Sequence, residues 1–192
     1  YWFAVVLVSI FGTLVTDNLT DHLHVPLLLS TALFGVMLVV TFSIWYAKEK
    51  TLSIYAIDTR RRELFYWTAI LVTFALGTAA GDWVSEEKGL GYAPSAILFA
   101  GMISATAIAH FVFKANAVAS FWVAYVLTRP LGASCGDLLA KSAKHGGLGF
   151  GTTHTSAVFL LVIVALVIYL TRAERRSGSS GRANLPVTGA GS

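Results

Sequence analysis

Residues 64–82, LFYWTAILVTFALGTAAGD, run for eighteen positions without a charged side chain and stop at an aspartate. At ~1.5 Å of helical rise per residue, such a run nearly crosses a hydrocarbon core of ~30 Å. The same pattern is written twice more, as YWFAVVLVSIFGTLVTD at 1–17 and FWVAYVLTRPLGASCGD at 121–137. In each copy the tryptophan (Trp2, Trp67, Trp122) precedes a glycine by ten residues (Gly12, Gly77, Gly132) and an aspartate by fifteen (Asp17, Asp82, Asp137). Two spacings kept in three copies mark an internal repeat.

Composition sets the solvent. Of 192 residues, 56% are hydrophobic and 12% charged, about half the charge of an average soluble domain. Residues 25–47, 64–81, 89–109 and 146–171 carry no charged side chain, and each is long enough for a transmembrane helix. The expected fold is therefore an all-α polytopic membrane bundle. Its six helices, at about 1–17, 26–47, 64–82, 93–113, 118–137 and 152–171, form three tandem two-helix repeats at about 1–47, 64–113 and 118–171. The likeness between the first two repeats continues into the second helix, where Ser30, Phe34, Met37 and Thr41 have counterparts in Ser95, Phe99, Met102 and Thr106 at equal distance from the aspartate. Residues 172–192, rich in Gly, Ser and Arg, are expected to be a disordered polar tail that buries no core. The chain starts inside a helix without methionine, as a fragment would. Cys135 is the single cysteine, so no intrachain disulfide forms, and its small neighbours suit a tight helix contact.

Three hairpins with two crossings each place every motif aspartate at one side of the membrane. The segments between hairpins and after the last carry Lys48, Lys50, Arg60, Arg61, Arg62, Lys114, Arg172, Arg175, Arg176 and Arg182, whereas the turns within hairpins carry Lys88, Lys141 and Lys144. The positive-inside rule then assigns the basic loops and the tail to the cytoplasm, and the aspartates to the outer side. Trp2, Trp67 and Trp122 fall at the depth of the cytoplasmic aromatic belt. The expected location is a bacterial inner membrane.

A carboxylate deep in a bilayer costs at least ~2.5–3.5 kcal/mol on insertion scales and much less near the interface. A single aspartate at a helix end marks where the chain leaves lipid. Three at one register suggest a shared role. Gly12, Gly77 and Gly132 give the helices a smooth surface for close approach, and Thr13 and Thr78 lie one turn before Asp17 and Asp82, on the same face. Packing of the first helices would gather carboxylates over hydroxyls, a hard-oxygen set suited to Mg²⁺, Ca²⁺ or Mn²⁺ or to a proton relay. The first turn, TDNLTDHLH, adds Asp21 and His24, with His22 close by. The metal-ligand candidates are thus Asp17, Asp21, Asp82, Asp137, Thr13, Thr78 and His24. Arg129, about 10 Å inside the bilayer from Trp122, either snorkels to the cytoplasmic headgroups or serves as a countercharge where Pro130 loosens the helix.

The tandem copies, with TDNLTD in the first, GTAAGD in the second and TRPLGAS in the third, resemble a bacterial family of uncharacterised multi-pass "membrane-anchored" repeat proteins. That resemblance implies four such repeats in a full-length chain, hence eight helices and one repeat before Tyr1. It carries no activity.

The functional expectation is a transporter or channel for cations, a divalent metal of the Mn²⁺ kind above all, with the aspartates as ligands or proton carriers. The alternative is a membrane scaffold in which the motif sets helix packing alone. Neither HExxH nor Gly-x-Ser-x-Gly stands in the sequence, so enzymatic activity is not expected. Nor is a nucleic-acid partner or a resident cofactor. The expected partners are membrane lipid, the transported cation and, compatibly, further copies of the chain.

Overall fold

The computed structural model describes residues 2–54 and 57–183. Among these residues there are six α-helices: α1 (Trp2–Asp17), α2 (Leu27–Glu49), α3 (Arg60–Asp82), α4 (Tyr92–Phe111), α5 (Ala117–Ala140) and α6 (Thr152–Ala183). No strand occurs among the described residues. Five helical segments, all but α5, are long and apolar enough to cross a membrane. The remaining helix is long enough at 24 residues, but Arg129, Pro130 and Asp137 interrupt its apolar run, and it lies packed between α3 and α4.

Helix boundaries follow local chemistry. The helix α3 begins four residues ahead of its apolar run because the Thr59 hydroxyl accepts the Arg62 amide at 3.4 Å, an N-cap that lets the Arg60–Arg62 triplet form the first turn. Asn116 caps α5 by accepting the Val118 and Ala119 amides at 3.0 and 3.1 Å. The last helix continues beyond the expected end at 171 to Ala183, into the first part of the stretch expected to be unfolded, while residues 184–192 lie outside the described residues.

The helices are not arranged as self-contained hairpins. The first helices of the repeats, α1, α3 and α5, lie side by side with α3 in the middle, and each second helix packs on the first helix of the next repeat, α2 on α3 and α4 on α5. Equivalent residues therefore have equivalent surroundings. Ser30 and Ser95 are fully buried, Phe34 and Phe99 nearly so, and Met37 and Met102 are exposed. The hydroxyls of Thr41 and Thr106 both donate to the carbonyl four residues earlier. Among the described residues α6 touches α5 alone to any extent, and it is exposed along almost all of residues 152–172.

Small residues govern the close crossings. A Cβ added at Gly12 would stand 2.6 Å from the Phe74 Cβ and 3.2 Å from the Leu71 carbonyl oxygen, and one at Gly77 would collide with the Cβ of Arg129. Gly81, one turn further along α3, faces Pro130 and Ala133 of α5. The buried Thr16 hydroxyl donates across the α1–α3 crossing to the Ala75 carbonyl at 3.0 Å. Lipid gives helices no hydrophobic reason to associate, so such contacts and bonds hold the bundle. A Cβ added at Gly132 would meet no other side chain or helix of the described residues within 4 Å.

The aromatic end corrects the expectation of an interfacial tryptophan belt at Trp122 alone: Trp67 is half-buried, and the side chain of Trp2 lies outside the described residues. Trp122 is 4% exposed and Trp45 wholly buried; their rings meet edge to face at 5.8 Å, with Phe42, Phe65 and Tyr66 around them. The Trp122 indole donates to the Leu52 carbonyl in the α2–α3 loop at 2.9 Å. Helix packing at this end encloses the indole before any headgroup can reach it. The neighbouring loop is tied by Glu49, which accepts from Arg62 at 2.7 Å and lies 3.7 Å from Arg61.

Candidate functional site

At the opposite end from the aromatic cluster, α1 and α3 do not stop at their motif aspartates. Each widens into one π-helical turn, Asn18–His22 after Asp17 and Trp83–Glu87 after Asp82, a feature often found at functional sites. The third repeat has no such turn: α5 remains α-helical to Ala140, past Asp137. Its longer loop instead folds back, so that the amides of Leu148, Phe150, Gly151 and Gly149 satisfy the carbonyls of Leu138, Leu139, Ala140 and Lys141. A helix C-terminus that would otherwise leave orphan acceptors is thereby closed by backbone alone.

These ends surround one cleft of about 690 Å³, lined by Thr13, Asp17, Thr20, Asp21 and His24 of the first repeat, by Asp82 and Glu86 of the second, and by Asp137 and Lys141 of the third. Six of the seven metal-ligand candidates face this space. The seventh, Thr78, lines an adjoining cleft of about 720 Å³ that also contains Thr13, Asp137 and Lys141, and its hydroxyl lies 3.4 Å from that of Thr13. Carboxylate oxygens of Asp82, Glu86 and Asp137 lie within 4.8 Å of one another, close enough for one cation to be shared. Asp17, half-buried, lines the same cleft from α1, and Asp21 is exposed at its rim. His24 has a left-handed backbone (φ 54°) and an imidazole Nδ1 3.1 Å from the His22 carbonyl oxygen, which holds the ring at the rim. His22 is not part of the lining.

Two residues that sequence reasoning passed over complete the cluster. Glu86 accepts from the Lys141 ammonium at 2.7 Å and from the Tyr92 hydroxyl at 2.9 Å, both through Oε1. Burial works against the charge of Lys141, but the Glu86 hydrogen bond and the Asp137 and Glu86 carboxylates outweigh it, so its pKa rises above the ordinary lysine value. The signal for both was register: four positions after the motif aspartates stand Asp21, Glu86 and Lys141.

Arg129 lies elsewhere. Its backbone and Cβ fill the notch at Gly77, and its guanidinium sits 3.8 Å from the Phe74 ring centre and 4.6 Å from that of Tyr125, whose hydroxyl accepts from it at 2.5 Å. Among the described residues no carboxylate pairs with it. Tyr125 is one turn back toward the basic end, the direction in which a snorkelling side chain extends, so an aromatic cradle holds the charge between α3 and α5. Of the three glycines, Gly12 and Gly77 are crossing points and Gly132 is not.

Tandem two-helix units, apolar helices of membrane-spanning length and a polar cleft at one end define the class: a helical membrane bundle built from internal repeats. The family described as "Repeat of Unknown Function (DUF347)" matches residues 1–51, 65–116 and 120–176, and the chain belongs to that family. Its three matches coincide within a few residues with the repeats legible in the sequence. No curated protein and no solved structure matches the chain.

Proposed function

We propose that this protein moves cations across a membrane, as a transporter or channel, with a divalent metal of the Mn²⁺ kind as cargo. One observation carries the proposal: carboxylates from three separate repeats, each at the same register, converge on a single cleft. Five acids line it against one lysine, and hard oxygen donors with carboxylates suit Mn²⁺, Mg²⁺ or Ca²⁺. Carboxylates gathered from several helices at one end of a membrane bundle are a recurrent feature of cation pathways. The repeats run parallel, so a path along the carboxylate-lined cleft at the ends of α1, α3 and α5 fits better than rocking of inverted halves. The bacterial inner membrane, with the basic loops cytoplasmic and the acidic cleft facing outward, is the proposed location.

The second reading, a non-transporting scaffold, draws support from the Glu86–Lys141 pair and the Thr13–Thr78 contact, which tie neighbouring repeats together. The experiment that separates them is uptake of radioactive Mn²⁺ by proteoliposomes carrying the full chain or its Asp17→Asn/Asp82→Asn/Asp137→Asn variant. Loss of uptake by at least about tenfold in a variant that still elutes as the native particle is expected, since three ligand charges are gone. Equal uptake by both proteins, or none by the native one, would favour the scaffold.

A further inference from the structure

We propose that Lys141 is a tethered cation that competes with the transported ion for the carboxylate cluster and keeps its binding reversible. The inference rests on the acidic cleft being the cation site. The repeat itself makes the case. The position four residues after the motif aspartate carries a carboxylate in the first two repeats, Asp21 and Glu86, and an ammonium in the third. That ammonium reaches back to the acid at the equivalent position of the preceding repeat, 2.7 Å from Glu86 Oε1, and lies 5.5 Å from the ring centre of Tyr92, whose hydroxyl holds the same oxygen. The third repeat thus delivers a positive charge into an oxygen cluster that the other repeats build.

The Lys141 backbone is tied into the loop, while its ammonium stands between two clefts. The Lys141 amide donates to the Asp137 backbone carbonyl and its own carbonyl accepts from the Gly149 amide, at 2.9 and 2.8 Å. The side chain, in contrast, is 41% exposed and lines both the cleft containing Asp17, Asp82 and Glu86 and the adjoining one containing Thr78. A divalent ion coordinated by Asp82, Glu86 and Asp137 would sit beside the Lys141 ammonium, which already pairs with Glu86 Oε1, and two cations a few ångströms apart repel strongly in a half-buried site. The ion therefore enters as the ammonium swings aside, and the returning ammonium helps to expel it. Conduction requires a site that can let go as well as bind.

The test is Mn²⁺ titration of the full chain in lipid nanodiscs, with free Mn²⁺ read by electron paramagnetic resonance, alongside proteoliposome uptake. Lys141→Met should bind Mn²⁺ about tenfold or more tightly, since a nearby positive charge is removed, and its maximal uptake rate should fall. Lys141→Gln provides a second neutral side chain with the same expectation. Lys144→Met, which removes an equal charge from the exposed loop three residues on and outside both linings, should leave affinity unchanged. Native affinity in both Lys141 variants, with binding still abolished by Asp82→Asn, would overturn this role and leave the proposed function standing. An equal gain in Lys144→Met would reduce the effect to general surface charge and also overturn it. Absence of Mn²⁺ binding in every protein would overturn both proposals.

Discussion

Gly77 and Gly132 occupy the same place in the motif and do different work. A side chain at Gly77 would drive into Arg129, whereas one at Gly132 would meet nothing within 4 Å among the described residues. Overpacking a tight contact costs typically ~1–3 kcal/mol, so Gly77→Val should lose about that much in denaturant titration of the detergent-solubilised protein. Gly132→Val should change stability by less than ~0.5 kcal/mol, the usual range for positions without special contacts. Equal losses would show that the α3–α5 crossing is not where the glycine notch places it. The motif residues were legible as a set, because spacing survives in sequence; which glycine of the set is a contact was not, because a contact needs a partner and the third repeat has none on that side. Glu86 and Lys141 were hidden for a related reason. Charged residues in a polar turn look like ordinary solvation until the turns of two repeats are brought together.

Elements tell a similar story one level up. Apolar run lengths located α2, α3, α4 and α6, since spanning a hydrocarbon core demands about 20 residues whatever the fold, and the repeated motif located α1 and α5. The pairing of helices did not follow from the run lengths. Adjacent runs joined by a short turn invite a hairpin, yet α2 lies on α3 and α4 on α5, and the matched burial of Phe34 with Phe99 and Ser30 with Ser95 follows from that exchange. The crossing of α1 and α3 can be trapped directly. In a Cys135→Ser background, Thr13→Cys and Thr78→Cys replace hydroxyls 3.4 Å apart, and mild oxidation should close a disulfide that speeds migration on a non-reducing gel. Thr13→Cys with Thr106→Cys, on a helix that packs on α5, should not cross-link. Failure of the first pair would mean that α1 does not lie against α3 at this depth.

At the scale of the whole molecule, the bundle has two chemically opposed ends. One is basic and aromatic, with Trp45 and Trp122 enclosed and Glu49 tied to Arg62. The other is acidic and holds the clefts. Because Cys135 is the single native cysteine, single cysteines in a Cys135→Ser background can report sidedness. Glu87→Cys, exposed beside the acidic end, and Ala115→Cys, exposed in the α4–α5 loop, should react with a membrane-impermeant maleimide from opposite faces of sealed vesicles, Ala115→Cys from the cytoplasmic one. Labelling of both from one face would refute the arrangement of α4 as a crossing helix and the orientation drawn from loop charge.

Sequence alone determined the solvent, the repeat and the number of helices, because the hydrocarbon thickness and the cost of charge in lipid act on every residue locally, wherever its neighbours lie. It also placed the three aspartates at one end, since each repeat crosses twice. The tertiary structure decided which helices touch, that Trp122 leaves the interface for the core, and that Glu86 and Lys141 join the aspartates in one cleft. Those outcomes depend on contacts between repeats some 55 to 65 residues apart, and no local pattern specifies which surfaces of near-identical helices will meet.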